Sequence, residues 1–542
     1  RQVRCDAGSH GLPCTNCAAF SLECSIPPKQ KKKRKGDAAG RPAQRSDCEQ
    51  NAEAPASSCT DDFISSILDV PRQIKPEPDN TGTFVKLVKP GTTHSEIEDP
   101  GRVAYLEEFS NMSLIIQAYQ GPIGVHYQLP KVPKDRPLSS RVNQVELDIL
   151  RKRGALSLPP KELCDELIDA YFKWVAPIVP IINRTSFLRR YRDPSNPPSI
   201  LLMQAVLLAG SRVCDTPLLL DSNGSPISAA TLLYQRVKAL YDADYEEDRV
   251  TIVQALMLMG WYWEDRARVP KNVFYWNGLA TAIAQGCGMH RSTKNSRLSV
   301  SDQRLWTRIW WTLYTRDRSV AVALGRPAHI SLEGSDVEMV CEDDFIEDPG
   351  ERPNSFHVQF FLQYVKLCEI MDMILFQNYS ISLKAQQNRA MALTQCDLAL
   401  ADWLQRCPSE LRWNQSQYNF WPAYLNCVYN TAGCLLHRAH LPPAPSSPLT
   451  STILPQSPAF ESAHMITTIV QSLIAHNDLR HAPPFIIYSL LSALMVHIYH
   501  LHIQTEVTSQ QRNIVACMDA LERVSGIWLV GKMVHDLFEA IL

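Results

Sequence analysis

The sequence has no nucleotide-binding glycine loop, no Gly-x-Ser-x-Gly elbow and no His-Glu-x-x-His pair. Those absences remove the short motifs that mark nucleotide, serine-hydrolase and zinc-protease chemistry. Alternating apolar and polar residues are scarce, which argues against a sheet-built protein, and no short repeat recurs. Only Phe485–Ile503 approaches membrane length, and it carries His497, His500, His502 and two tyrosines without clear flanking anchors. It reads as a buried core helix, and no membrane partner is expected. No apolar secretory stretch opens the chain, and the start at Arg1 rather than Met reads as a segment cut at its beginning.

Acidic residues are scarce at one end. Residues 1–35 hold two, Asp6 and Glu23, against eight basic ones: Arg1, Arg4, Lys29, Lys31, Lys32, Lys33, Arg34 and Lys35. The chain as a whole carries −2, so this head carries +6 and the remainder −8. Such a division points to an anionic partner for the head alone.

What is present in quantity is apolar residue, 45% of 542 positions, enough to bury a core over most of the length. At about 150 residues per domain, roughly two to four units are expected. Four of the 16 cysteines cluster at the start, and the other twelve are scattered from Cys48 to Cys517, mostly singly within apolar stretches. That is the pattern of reduced intracellular thiols acting as small hydrophobes.

The composition divides the chain into residues 1–35, a cysteine-containing basic head; 36–100, a linker of disordered composition rich in Ala, Pro, Ser, Asp and Gly; and a helical body read as 101–355 with a continuation over 356–542. In the linker, Asp61–Asp69 mixes acids with bulky apolar residues as an activation segment would, but a chance apolar patch is the preferred reading. Ile74-Lys75-Pro76-Glu77 has the form of a SUMO acceptor, a short pattern.

From about residue 103 the periodicity is read as helical. Leu163, Leu167, Ile168, Tyr171, Phe172 and Val175 share one face of a helix bounded by Pro160 and Pro177. Further helices are expected over Ile200–Ala209, Val250–Trp263, Val273–Cys287 with a cap near Gly286 and Gly288, and from a Ser301-Asp302 cap to a stop at Gly325-Arg326-Pro327. More follow over Phe356–Leu383, Arg389–Gln405, Tyr424–His437, Ala463–Ala475, Pro484–Ile503 and Arg512–Trp528, with Pro442–Pro458 as a loop. The fold class is therefore all-α.

The head reads Cys5-x8-Cys14-x2-Cys17-x6-Cys24. A Cys-x2-Cys pair grips one metal because its turn brings both sulfurs to one side, and two further thiolates complete a zinc shell. So short a segment buries no core of its own, so metal must supply its folding free energy. Thiolates alone make a closed, structural site; an enzyme would keep an open zinc position beside a general base, and none is visible. The run Lys29–Lys35 neutralises phosphates and doubles as a nuclear import signal.

Arg4-Cys5-Asp6, Pro13-Cys14-Thr15-Asn16-Cys17 and Cys24 resemble the second half of a fungal zinc binuclear cluster. The resemblance implies two zinc ions in the intact cluster, with Cys5 as third ligand, Cys14 as the bridging fourth, Cys17 as fifth and Cys24 as sixth; the first two would lie upstream of Arg1. Arg1-Gln2-Val3-Arg4 would end the short helix that enters the major groove, so Arg1, Gln2 and Arg4, with Lys29, Lys31, Lys32, Lys33, Arg34 and Lys35, become the DNA-binding set. The family reads CGG half-sites with a Lys where this chain has Gln2, and Gln suits adenine rather than guanine.

The body adds to this. Tyr171–Asn183, Ala284–Arg291, Trp306–Pro327 and Leu435–Arg438 resemble successive landmarks of the fungal transcription factor regulatory domain, most similar to the cutinase transcription factor branch, whose members control use of cutin and fatty acids. The resemblance implies a nuclear, zinc-dependent regulator of RNA polymerase II transcription whose partners are double-stranded DNA, the transcription machinery, a second copy of the chain and a small-molecule inducer. No sustained heptad crosses residues 36–100, which leaves a monomer and a body-mediated dimer both open. The alternative reading keeps the body as a regulatory partner that has lost DNA binding. Within the body the residues themselves read as structural: Trp306, Trp310 and Trp311 as core, His290 and Arg291 as the end of a helix whose dipole they offset, and Asp317-Arg318 as an ion pair that fixes packing.

Overall fold

The architecture comes from a computed structural model that describes residues 96–107, 125–128, 142–222, 224–263, 272–348, 350, 353–379, 389–441, 457–503 and 507–542. The cysteine head, the basic run, Asp61–Asp69 and Ile74–Glu77 lie outside the described residues, as does most of the Pro442–Pro458 loop.

Where helical periodicity was expected from residue 103, the chain instead makes a small ribbon. Strand β1 (Val103–Tyr105) pairs antiparallel with β2 (His126–Gln128), with Val103 opposite Gln128 and Tyr105 opposite His126. Fifteen α-helices follow among the described residues. They are α1 (Gln144–Lys152), α2 (Lys161–Ala170), α3 (Arg184–Arg192), α4 (Ile200–Ser211), α5 (Ile227–Asp242), α6 (Arg249–Met259), α7 (Val273–Cys287) and α8 (Val300–Leu324). The rest are α9 (Ser355–Tyr379), α10 (Arg389–Arg406), α11 (Phe420–Arg438), α12 (Pro458–Ala475), α13 (Phe485–Ile503), α14 (Val507–Ser525) and α15 (Leu529–Ile541). The all-α expectation holds.

The caps explain several boundaries. Ser299, not Ser301, starts α8: its hydroxyl accepts the Asp302 amide at 3.1 Å and meets the Asp302 carboxylate at 2.6 Å. Gly325 ends α8 in the left-handed region, at φ 59°. The face over Leu163–Val175 is one continuous element but not one α-helix. At Tyr171–Val175 it widens into a π turn, with the Ala176 amide bonded to the Tyr171 carbonyl at 2.9 Å. The single helix expected over Arg512–Trp528 stops at Ser525, and a new one starts after Trp528.

Neighbours in sequence pack as neighbours in space, from α6 against α7 and α7 against α8 through to α14 against α15, while α8 also touches α13. One contiguous apolar cluster runs from Ile97 to Phe538. Helix α4 sits at its centre, buried at every position from Leu201 to Ser211, which is why it shows no amphipathic stripe. Its Gly210 lies against α2, where a Cβ would stand 2.1 Å from the Leu167 carbonyl oxygen. Only glycine permits that approach. Helix α13 is long and apolar enough to cross a membrane, yet 61% of its apolar stretch is buried within the protein, against α11, α12 and α14. Eight of the ten described cysteines are buried, and none is bonded to another.

Candidate functional site: a polar centre and an apolar cleft around helix α8

Helix α8 carries its charges inward. Arg308, Arg316, Asp317 and Arg318 are all buried, as are Trp306, Trp310 and Trp311. The tryptophans are core, as their spacing predicted, and the Trp311 indole N–H donates to the Glu338 carbonyl at 2.7 Å.

Asp317 and Arg318 form the expected ion pair, 2.9 Å apart and 1% and 2% exposed. Asp317 also accepts the amides of His329, at 2.9 and 3.1 Å, and of Ile330, at 2.9 Å, and it meets His329 Nδ1 at 2.9 Å. Arg318 donates to the Ile330 carbonyl at 2.7 Å and lies over the Tyr314 ring at 4.5 Å. Its Nε stands 2.8 Å from Asp372 of α9, near enough for charge pairing but off the line of a hydrogen bond. The centre therefore pins the segment after Gly325-Arg326-Pro327 back onto α8. A carboxylate so fully engaged has no free lone pair for acid–base chemistry. Nearby, Arg308 pairs with Glu347 at 3.3 Å, and burial pulls its guanidinium below the usual range.

His290 and Arg291 do not finish a helix. Helix α7 ends at Cys287, Gly288 turns left-handed at φ 82°, and both residues lie in the turn beyond. Arg291 binds Glu107, just after β1, and Asp336 at 3.0 Å, so it ties the ribbon to the body rather than offsetting a dipole. A Cβ on Gly288 would meet Tyr105 and His126 at 2.7 and 2.8 Å, which is how closely the ribbon sits on this turn. His126 Nε2 lies 2.9 Å from the Gly288 carbonyl, and burial lowers both His126 and His290 below the usual imidazole range.

On another side of α8 lies an apolar cleft enclosing about 960 Å³, open space at its mouth included. The end of α6, helices α8 and α13, and the α14–α15 junction contribute its walls. Arg212, just past α4, and Arg316 line it, as do Trp261 and Trp528. None of these four was singled out from sequence. The available signal was a single arginine inside an otherwise apolar stretch, as Arg212 is after α4.

The predicted zinc ligands Cys5, Cys14, Cys17 and Cys24, and the DNA set Arg1, Gln2, Arg4, Lys29, Lys31, Lys32, Lys33, Arg34 and Lys35, lie outside the described residues.

The profile of the fungal specific transcription factor domain matches residues 168–405, from the end of α2 to α10. The chain is 51% identical, over its whole length and 63% of the relative, to cutinase transcription factor 1 alpha of Fusarium vanettenii. The chain therefore carries a fungal specific transcription factor domain. Together with the likeness just given, this supports a fungal transcription factor of the cutinase branch. It is 33% identical, over 81% of itself and 54% of the relative, to an acetamidase regulatory protein of Aspergillus fumigatus. It is 24% identical, over all of itself and 71% of the relative, to cutinase transcription factor 1 beta of Fusarium vanettenii. The chain thus spans between about half and two-thirds of the length of the first two relatives. All three are transcription regulators by name, and none is an enzyme. No solved structure matches. The matched domain contains the π turn, the Gly288 turn and the whole Asp317 centre. The polar centre is therefore part of the domain's own scaffold, while the cleft combines residues inside the match with α13, the α14–α15 junction and α15 beyond it.

Proposed function

We propose that the chain is a nuclear regulator of RNA polymerase II transcription that binds specific DNA through a zinc-folded head and is regulated through its helical body. Its targets are genes for the use of cutin, other lipids or simple carbon sources; two relatives are named for control of cutinase and acetamidase. The observation that carries the reading is the coincidence, in one chain, of the Cys5-x8-Cys14-x2-Cys17-x6-Cys24 spacing with the regulatory domain at 168–405. In this mechanism zinc replaces a hydrophobic core as the source of the head's folding free energy. Arg1, Gln2 and Arg4 face bases, and the Lys29–Lys35 run holds phosphates and directs nuclear import.

A second reading is favoured by Gln2, which stands where the cluster family reads guanine with lysine: the body then acts as a regulatory partner without DNA contact. One experiment separates the two. The full-length gene product and its Cys14→Ser variant are put through unbiased DNA-sequence selection, with bound zinc quantified. Enrichment of a half-site by the parent, and its loss together with zinc in Cys14→Ser, supports the regulator. Equal selection by both proteins overturns the zinc head, and no selection by either favours the partner.

A further inference from the structure

The α8 cleft holds an unusual imbalance of polar groups. Arg212 and Arg316 are 5% and 7% exposed, and among the described residues neither is paired with a carboxylate. Arg212 donates from Nη2 to the Ile527 carbonyl, and its Nε and Nη1 have no hydrogen-bond partner. Arg316 has one long polar contact, 3.5 Å from Nη2 to the Gly260 carbonyl. Aromatic faces hold the guanidinium groups in place: Arg212 lies 4.9 Å from the Trp528 ring and 5.9 Å from Tyr262, and Arg316 lies 5.8 Å from Trp261. The indole N–H groups of Trp261 and Trp528 are buried without a partner as well. Burial pulls Arg212 down to about 10 and lowers Arg316.

Every unsatisfied group named here is a donor. Removing an arginine from water without a counter-charge is costly, and proteins normally supply a carboxylate, as this one does for Arg308 and Arg318. The missing complement is an acceptor with negative charge. Apart from the hydroxyl groups of Ser319, Tyr262 and Tyr488, the rest of the lining is apolar, including Val273, Val320, Leu491 and Val530. A fully hydrated ion such as acetate would leave that wall unused, and a neutral hydrocarbon would leave the guanidinium groups unmatched.

We infer that this cleft binds a small amphipathic carboxylate, its head on the free N–H groups of Arg212 with Arg316 adding charge, and its aliphatic body along the α8–α13 wall. The carboxylate completes the hydrogen bonding of Arg212 and supplies the counter-charge that no described residue provides. Because the occupied cleft joins α8 and the Arg212 end of α4 to α13 and the α14–α15 junction, binding stabilises the packing of the two parts of the body on each other. The inference stands apart from the DNA-binding reading, since it concerns body residues alone.

The test uses the full chain without DNA and three probes below their micelle range: decanoate, decanol and acetate. Binding is measured by calorimetry and by the concentration dependence of Tm. Decanoate is expected to bind about tenfold or more tighter than decanol, since the difference is a charge-assisted hydrogen-bonding head, and acetate to give no Tm shift. Arg212→Met should remove the preference for decanoate while decanol binding persists, which also shows that the variant is folded. Equal affinity for decanoate and decanol in the parent, absence of decanoate binding, or unchanged decanoate affinity in Arg212→Met each overturns the inference.

Discussion

Arg318 and Arg212 are both almost wholly buried in one helical body, 2% and 5% exposed, and their surroundings are opposite. Arg318 sits between Asp317 and Asp372, with a backbone carbonyl taking a further N–H. Arg212 has aromatic rings, one carbonyl and, among the described residues, no acid. The first arrangement closes on itself and can only hold structure together. The second is incomplete among the described residues, and on the inference above a ligand completes it. Burial of charge by itself therefore says little about function; whether the charge is matched within the chain separates scaffold from site.

The largest effect expected from this contrast is at the matched centre. Asp317→Ala strands Arg318, two backbone amides and His329 together, and should destabilise the folded chain by about 3–5 kcal/mol, the usual consequence of breaking a buried pair. Chemical denaturation of the variant against the parent measures it, and a loss under 1 kcal/mol would mean that the centre is not closed as described.

A third buried base shows another solution, giving up its proton. His497, 1% exposed, bridges Thr467 at 2.9 Å and Gln510 at 3.1 Å, and burial lowers it to about 4. Its folded value lies below the unfolded one of about 6.5, so the unfolded chain takes up the proton first as pH falls. Stability from this residue is full at pH 7 and is lost as pH drops from about 6.5 toward 4, by about 2 kcal/mol at pH 5. Denaturation curves at the two pH values, for the parent and for His497→Gln, check this: the variant should lose that share of the pH dependence.

The smallest effect is expected at the unmatched site. Arg212→Met removes a charge that has no acid to orphan, so stability should change by only about 1 kcal/mol in either direction. A loss as large as that of Asp317→Ala would show that Arg212 is structural and would erase the contrast between the two arginines.

Much of the body was legible before its structure. The all-α class, the exact span of Val273–Cys287, the stop at Gly325, the tryptophan core and the Asp317–Arg318 pair all follow from local rules of spacing, capping and burial. The misses are instructive. The ribbon at Tyr105 and His126 is not legible as strand because strands of three residues are too short to show alternation. His290 and Arg291 were placed on a helix end because Gly288 could be recognised as a cap, but not the partners Glu107 and Asp336, 184 and 45 residues away. Arg212 and Arg316 do not stand out, because an arginine in an apolar stretch looks the same in sequence whether or not a carboxylate meets it.

The sequence by itself determined the all-α class, most of the helices, the stop at Gly325, and the cysteine spacing and basic run on which the DNA-binding proposal rests, because these depend on residues a few positions apart. Only the tertiary structure decided which buried charges are neutralised. That depends on whether distant helices bring an acid or an aromatic ring to the same point, and α8 meets both cases on its two sides.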